Sequence, residues 1–249
     1  MAKKSIALIT GANKGIGLQI AKELAAKDII VLIGARDLSR GTAAAASIGA
    51  NAWAVQLDVT DPTSVAKAAE YIRERFGHLD ILVNNAGISH AGQAGRSMEE
   101  LVQSGFLSHV SYDEMQRLFA TNVFGVVTVT QAMLPLLREA PAGRIVNMSS
   151  MNGSLTLNAD PSNPFRQFAG IYAATKTALN AVTLSFAIEL ESTHIKVNAV
   201  CPGFTATEMN NFSGTGSVEE AAREPVRLAL LDENGPTGTF SNANGPLPW

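Results

Sequence analysis

The chain has 249 residues, of which 46% are hydrophobic and 16% charged, and its formal net charge is −3. This length and apolar content suit one large α/β domain, or two small ones, with a substantial core. The weak negative charge and scattered basic residues argue against nucleic-acid binding. Cys201 is the single cysteine, so no internal disulfide can form and a reducing, cytoplasmic location is expected. The first apolar run is too short for a signal peptide, and no stretch approaches the roughly 18 continuous apolar residues of a membrane helix, so no membrane association is expected.

Short β-branched runs alternate with longer helical patterns, which is typical of βαβ units and a parallel sheet. The apolar positions of these runs are nearly continuous, as expected of strands covered on both faces. The predicted strands are Ser5–Thr10, Ile29–Gly34, Ala52–Leu57, Ile81–Asn84, Arg144–Met148 and Lys196–Val200, with a last short strand near Gly238–Ser241. The predicted helices are Gly17–Lys27, Ser64–Phe76, Tyr112–Leu137 and Ile171–Leu190, with a short one around Met98–Val102. No repeat or linker is visible, so residues 1–249 are expected to form one domain.

Three segments interrupt this rhythm, near residues 88–110, 151–170 and 204–222. Long loops in a compact domain tend to be functional, and ligands of open α/β sheets bind beyond the carboxyl ends of the strands. We therefore predict that these segments contact substrate. Their large apolar residues suggest an apolar pocket wall, and they are Leu155, Leu157, Phe165 and Phe168 in one segment and Phe204, Met209 and Phe212 in another. The four histidines show no ligand spacing, so no metal site is expected. Whether His90 and His109 face substrate or solvent is left open.

A glycine-rich turn, "TGANKGIG", follows the first strand from Thr10 to Gly17. Glycines at positions 11, 15 and 17 let the backbone turn tightly and approach a ligand. The helix that follows offers free N–H groups and a partial positive charge to a phosphate. The spacing differs from the G-x-G-x-x-G fingerprint, and a plain βα turn is the alternative. Its position between a strand and a helix favours nucleotide binding.

The end of the second strand indicates which dinucleotide would bind. NAD sites usually place an acidic residue there for the ribose 2′-OH, whereas a nearby arginine accommodates the 2′-phosphate of NADP. The sequence reads "LIGARD", with Ala35 in the expected acidic position, Arg36 next and Asp37 after it. Lys14 in the glycine turn adds a second cation. These residues favour NADP(H), although both cations could instead be solvated surface charges.

The motifs together resemble the short-chain dehydrogenase/reductase family. "TGANKGIG", "LDVT", "NNAG", "NMSS" and "YAATK" occur in the family's order over essentially the whole chain, as far as "CPGFTAT". The segments "ARDLSRG" and "GPTGTF", with the closing tryptophan, look most like the NADPH-dependent carbonyl reductase branch. The resemblance implies a single Rossmann-like, doubly wound α/β domain with a parallel sheet of about seven strands and helices on both faces.

The resemblance also implies roles for individual residues. The implied catalytic residues are Asn122, Ser150, Tyr172 and Lys176. The implied cofactor contacts are Gly11, Asn13, Lys14, Gly15, Ile16, Gly17, Arg36, Asp58, Val59, Asn85, Ala86, Gly87, Tyr172, Lys176, Pro202, Gly203 and Thr207. Asn84 would stabilise the central sheet. Ser149 is the rival to Ser150, and it ranks lower because Ser150 matches the family's position. The gap between Ser150 and Tyr172 is longer than the family's commoner one, so both a homo-oligomer and a monomer stay open.

The expected reaction is the reversible reduction of an aldehyde or ketone to an alcohol, with the proton from Tyr172. A lysine four residues along the same helix stabilises the phenolate and lowers its pKa. Ser150 would donate a hydrogen bond where negative charge develops on the carbonyl oxygen. An apolar or aromatic carbonyl compound is the expected substrate. Two alternatives are a non-enzymatic dinucleotide sensor or interaction protein, and epimerase or dehydratase chemistry on the same fold.

Overall fold

The computed structural model describes residues 4–91 and 97–249. Within them, eight strands form one sheet, and they are β1 (Ile6–Thr10), β2 (Ile30–Ala35), β3 (Ala52–Gln56), β4 (Ile81–Asn84), β5 (Arg144–Met148), β6 (Lys196–Val200), β7 (Phe240–Asn242) and β8 (Gly245–Pro246). The strand order is β3-β2-β1-β4-β5-β6-β7-β8. All neighbours from β3 to β7 are parallel, and β8 pairs antiparallel with β7. The order reverses between β1 and β4, so the loops leaving these two strands diverge and open a crevice between them.

Nine α-helices surround the sheet in the described part of the chain. They are α1 (Gly15–Ala25), α2 (Leu38–Ile48), α3 (Pro62–Phe76), α4 (Met98–Ser104), α5 (Tyr112–Phe119), α6 (Gly125–Arg138), α7 (Leu155–Ala159), α8 (Ile171–Glu189) and α9 (Val218–Ala229). Buried residues of α3, α6 and α8 share one core cluster with the sheet, and those of α1, α2 and α9 share another. The two clusters lie on opposite faces because successive residues of a strand point to opposite sides. The central strands are buried on both faces, which is why their sequences are continuously apolar.

The predicted doubly wound α/β fold is confirmed, and the predicted strands lie within two residues of the observed ones. Four elements were missed, and the first is α7, which has only five residues and lies inside the segment 151–170 that was expected to be a loop. Strand β8 has only two residues, too few for a pattern. Helix α2 is built mainly from small residues, so its sequence lacks the stripe of large apolar residues by which a helix is usually predicted. It packs closely on β2 instead, since a Cβ added at Gly41 would lie 3.2 Å from the Cβ of Ala35. Helix α9 contains Pro225 and begins at Val218, inside the segment 204–222 that was expected to be a loop.

The region predicted as one helix over Tyr112–Leu137 contains a change of helix type. Five residues, Ala120–Phe124, form a π-helical turn between α5 and α6. Such turns frequently mark functional sites because they shift the side chains that follow. The whole helical run Tyr112–Arg138 has the length and mean hydropathy, 1.4, of a membrane span, but 56% of that window is buried inside the fold. The core helix of a globular domain has the same properties.

Candidate active site

The glycine-rich turn connects β1 to the first turn of α1. Gly11 and Gly15 have φ angles of 65° and 58°, in the left-handed region that favours glycine. A Cβ added at Gly11 would lie only 3.0 Å from the Cα of Ala86. The residue before the helix, Lys14, makes no side-chain capping bond, so the first N–H groups of α1 are not satisfied by a cap. This geometry fits a phosphate at the helix N-terminus. Asn13 is half-buried within the turn.

The loop after β4 is hydrogen-bonded to the glycine turn. The Thr10 hydroxyl accepts from the backbone N–H groups of Asn85, at 3.0 Å, and Ala86, at 2.9 Å. The Asn85 side-chain amide donates to the carbonyl oxygens of Thr10, at 2.8 Å, and Gly11, at 3.3 Å. A Cβ on Gly17 would lie 2.4 Å from the Asn85 amide nitrogen. The two loops that flank the crevice therefore form one rigid unit.

A buried polar chain lies below this unit. The Asn84 amide donates to Asn147 Oδ1, at 2.9 Å, and to the hydroxyl of Thr130, at 3.1 Å. The Asn147 amide donates in turn to the hydroxyl of Thr183, at 2.9 Å. All four side chains are buried. They join β4 and β5 to α6 and α8, so the strand that precedes Ser149 and Ser150 is held against the helix that carries Tyr172.

Two of the predicted cations have different surroundings. Arg36 is exposed at the end of β2. The carboxylate of Asp37 accepts the N–H groups of Ser39, at 2.9 Å, and Arg40, at 3.2 Å, so it caps α2 rather than facing a ligand. The Lys14 ammonium pairs with Glu208. Lys14, by hydrogen bond and by charge, and then Arg40, by charge, lower the pKa of Glu208, so a third cation lies near the pair.

Asp58 and Val59 follow β3 and do not line the main cleft. The Asp58 carboxylate accepts from the N–H and hydroxyl of Thr60, at 2.9 and 2.7 Å. Val59 is buried against Gly125 at the start of α6, where an added Cβ would lie 2.9 Å from the valine side chain. Both residues thus shape the turn into α3.

Tyr172 and Lys176 lie one turn apart near the start of α8. The Lys176 Nζ is buried, donates to the carbonyl oxygen of Met148 at 2.8 Å and lies 5.6 Å from the centre of the Tyr172 ring. Helical spacing brings the two side chains onto one face. Tyr172 lines the cleft while Lys176 lies behind it. The spacing "YAATK" therefore produces the proximity that the sequence predicted.

Burial dominates the ionisation of this pair. It raises the pKa of the Tyr172 phenol above its ordinary value, with Cys201 adding to the rise and a hydrogen bond with Ser150 opposing it. Burial lowers the pKa of Lys176 to about 8, with the nearby Cys201 thiol opposing the change. Both shifts favour the neutral form, because both groups are removed from water. The expectation that the lysine lowers the pKa of the tyrosine is therefore wrong for this structure, since burial outweighs the effect of the neighbouring cation. The phenol therefore holds its proton at neutral pH, beside a lysine whose charge titrates close to that range.

The two adjacent serines differ in their surroundings. Ser150 precedes the 3-10 turn Met151–Gly153, and its hydroxyl accepts the N–H of Asn152 at 3.2 Å. It also lies close enough to Tyr172 to lower the pKa of the phenol. The Ser149 hydroxyl is buried and donates to Asn180 Oδ1 at 2.6 Å. Ser150, not Ser149, is thus the serine that acts on the pKa of the phenol.

Asn122 lies inside the π-helical turn and is 1% exposed. Its amide donates to the carbonyl of Ile88, at 2.8 Å, and to the hydroxyl of Thr175, at 3.0 Å, while its oxygen accepts the N–H of Ile88 at 2.9 Å. A Cβ on Gly87 would lie 3.4 Å from Asn122 Oδ1 and 3.6 Å from Lys176 Nζ. Gly87 therefore packs beside both Asn122 and Lys176.

A cleft of about 230 Å³ opens in front of Tyr172 and Ser150. The predicted cofactor residues Ile16, Pro202, Gly203 and Thr207 line it, and no Asp, Glu, Lys or Arg side chain of the described residues does. The predicted apolar wall is correct for Phe165, Phe168, Phe204 and Met209. It is wrong for Leu155, Leu157 and Phe212, which do not line the cleft. Leu155 begins the short helix α7 and Phe212 has a φ of 59°, and both side chains are exposed to solvent.

Three contributors to the site escaped sequence analysis. Cys201 lines the cleft, and its sulfur accepts the N–H groups of Met151, at 3.2 Å, and Gly203, at 3.4 Å. Asn152 also lines it, and Arg40 acts on Glu208. Cys201 could have been found from the sequence, because it comes directly after β6, at the edge of the sheet where ligands bind. Arg40 could not, because it lies on α2, which the sequence did not predict. Of the two histidines left open, His90 lines the cleft and His109 is exposed. No group of three or more potential metal ligands occurs in residues 4–91 and 97–249.

The model of the short chain dehydrogenase family matches residues 5–217, most of the chain. The chain belongs to this family. Among its short-chain dehydrogenase relatives, the salutaridine reductase of Papaver bracteatum is 33% identical over 296 residues, covering 96% of this chain and 94% of the relative. Carbonyl reductase [NADPH] 1 of Mus musculus is 31% identical over 290 residues, covering 100% and 99%. Both alignments are longer than this chain, so both relatives carry residues that it lacks.

Solved structures of this family superpose closely on the chain. The salutaridine reductase of Papaver somniferum matches with a TM-score of 0.80 and 31% identity, over 96% of this chain and 100% of that one. An NADPH-bound carbonyl reductase from chicken fatty liver matches with a TM-score of 0.81 and 27% identity, over all of both chains. The short-chain dehydrogenase fold is thus shared over its full length, and the relative from Mus musculus is by name a carbonyl reductase.

Proposed function

We propose that the protein reduces a neutral apolar or aromatic aldehyde or ketone to an alcohol, reversibly, with NADPH. The observation that carries the proposal is the half-buried Tyr172 at the wall of an uncharged cleft, with the buried Lys176 behind it and Ser150 beside the phenol. A carbonyl oxygen in that cleft would meet two hydroxyl donors. The similarity to carbonyl reductases supports the same reaction.

The chain's own residues handle the proton and the developing charge. Bound NADPH would supply the hydride that reduces the carbonyl carbon. Ser150 donates a hydrogen bond to the carbonyl oxygen, and Tyr172 transfers its phenolic proton to that oxygen as it becomes an alkoxide. The Lys176 cation, protonated below pH about 8, stabilises the phenolate left behind. Asn122 keeps the loop at Ile88 fixed against α8 through Thr175.

The glycine turn and the end of β2 fit NADPH. The uncapped start of α1 suits the pyrophosphate, and Arg36 stands exposed where a 2′-phosphate would lie. Asp37, the acidic residue nearest to that position, is occupied in capping α2. The free, buried Cys201 agrees with a reducing, cytoplasmic location.

The test follows the absorbance of NADPH and NADH with a panel of neutral ketones and aldehydes. We expect turnover with NADPH, and a loss of at least about 100-fold in kcat for Tyr172→Phe because the proton donor is removed. Tyr112→Phe is the matched control, since Tyr112 is 71% exposed, and it should keep full activity. Turnover that survives in Tyr172→Phe would refute the mechanism. Tight NADPH binding without turnover of any carbonyl would favour the dinucleotide sensor.

A second arm tests the cofactor. Arg36→Ala should raise the KM for NADPH about tenfold and leave that for NADH nearly unchanged, because it removes a charged hydrogen bond to the phosphate. Arg138→Ala, on the exposed face of α6, is the control. A preference for NADH that Arg36→Ala does not alter would contradict the assignment of NADPH.

A further inference from the structure

The polar side chains that line the cleft are mostly engaged within the protein. The Ser89 hydroxyl donates to the carbonyl of Met209 at 3.3 Å, and the Thr205 hydroxyl to that of Pro202 at 3.3 Å. Asn210 accepts the N–H of Thr207 at 3.2 Å and donates to the carbonyl of Thr205 at 2.8 Å. These groups stabilise loops and have little hydrogen-bonding capacity left for a ligand.

Asn152 is different. It lines the cleft and is half-buried, and its side-chain amide makes no hydrogen bond within the described residues. Buried or partly buried amides normally find partners, because an unmet one loses its bonds to water. An amide left open at the wall of a ligand cleft is therefore available to a ligand.

The backbone of Asn152 is fixed on both sides. Its N–H donates to the Ser150 hydroxyl at 3.2 Å, and its carbonyl accepts from the Asn158 amide at 2.7 Å. The 3-10 turn Met151–Gly153 is further held by the Asn180 amide, which donates to the Gly153 carbonyl at 3.2 Å. A ligand can thus bind the Asn152 amide without first ordering the turn, and the group has a set position relative to Ser150.

We propose that Asn152 is a specificity-determining residue that hydrogen-bonds a second neutral oxygen of the substrate. The inference rests on the proposed function, since Ser150 and Tyr172 bind the reacting carbonyl. An amide offers both donors and an acceptor, so a hydroxyl, an ether or a second carbonyl fits it. Asn152 is only two residues from Ser150, so the second oxygen lies within a few bonds of the reacting carbonyl. The substrate is an otherwise apolar carbonyl compound with this second oxygen.

The experiment compares two ketones that differ by one hydroxyl, 2-hydroxyacetophenone and acetophenone, with NADPH. The quantity measured is the ratio of their kcat/KM values in the wild type and in Asn152→Leu, which keeps the branching at Cγ but removes the amide. Any difference in intrinsic reactivity is common to both enzymes and cancels between them. We expect the ratio to fall about threefold to tenfold in Asn152→Leu, the range of one neutral hydrogen bond, with acetophenone turnover preserved within about twofold.

Control variants separate specificity from structure. Asn234→Leu, at an exposed asparagine, should leave the ratio unchanged. The melting temperature of Asn152→Leu shows whether that variant folds. If it does not, Asn152→Ala replaces it, and the same fall in the ratio of kcat/KM values is expected. An unchanged ratio, or equal losses for both ketones, would overturn the inference while leaving the proposed reductase activity intact. A wild type that reduces neither ketone nor any other carbonyl would overturn both.

Discussion

Replacing Lys176 by methionine should stabilise the protein while abolishing its activity. Burial lowers the pKa of Lys176 from its ordinary value of 10.5 to about 8, which corresponds to about 3 kcal/mol of unfavourable free energy for holding the charge in the folded state. Methionine has a similar length and avoids this penalty. It also loses the hydrogen bond from Nζ to the Met148 carbonyl, worth roughly 1 to 2 kcal/mol. The net expectation at pH 7 is a gain of about 1 to 2 kcal/mol in the free energy of unfolding.

The pH dependence gives this prediction its specific signature. The folded-state pKa of Lys176 lies below the unfolded value, so between pH about 8 and 10.5 the unfolded chain binds more protons. The stability of the wild type relative to Lys176→Met must therefore rise with pH through that window. Below pH 8 both states are protonated and the full penalty remains. The advantage of the methionine variant should shrink steadily as the pH is raised from 8 towards 9.5.

Urea unfolding at pH 7, 8, 9 and 9.5, without cofactor, measures these differences. Lys67→Met, at an exposed position of α3, is the matched control and should change stability by no more than about 0.5 kcal/mol at any pH. NADPH-dependent turnover should be lost in Lys176→Met and retained in Lys67→Met. A methionine variant that is less stable than the wild type at pH 7, or a difference that does not vary with pH, would refute the argument that burial controls this lysine.

Two further variants test features at the ends of the sheet. Glu208→Gln removes the carboxylate that pairs with Lys14, which leaves the Lys14 ammonium available to a phosphate. NADPH binding, measured by fluorescence titration at low salt, should become about two- to fivefold tighter. An equal gain for NADH would contradict a role for Lys14 at the 2′-phosphate. Arg144→Met should lower the free energy of unfolding by about 3 to 5 kcal/mol, because the buried guanidinium donates to the carbonyls of Leu231 and Asp232, each at 2.9 Å, which would lose their partner. Arg138→Met should have almost no effect in the same urea titration, and a loss below about 1 kcal/mol for Arg144→Met would show that water replaces these bonds.

The elements predicted most accurately are those with a simple physical signature. Strands β4, β5 and β6 begin and end at the predicted residues, because a strand buried on both faces must be continuously apolar. The glycine turn and the "YAATK" spacing were equally clear, since positive φ angles and helical periodicity are properties of the local sequence. These features were sufficient to predict the fold and the proximity of Tyr172 and Lys176.

The features that were missed depend on contacts between distant segments. Nothing local indicates that the Ser149 hydroxyl meets Asn180, that Lys14 meets Glu208 or that Phe212 turns to solvent. The π-helical turn around Asn122 also has no signature in its apolar spacing, because it inserts a single residue into an otherwise regular helix. Helix α2 lacks large apolar residues, since Gly41 packs directly on β2.

The contact between Gly17 and Asn85 makes two distant positions dependent on each other in any attempt to vary this enzyme. A side chain at position 17 would displace the Asn85 amide, which lies 2.4 Å from where its Cβ would be. The displaced amide could no longer bind the Thr10 carbonyl. Single-substitution libraries would therefore score both positions as intolerant. A library that varies them jointly would be the one to reveal compensating pairs, in which a shorter side chain at position 85 makes room for a larger one at position 17.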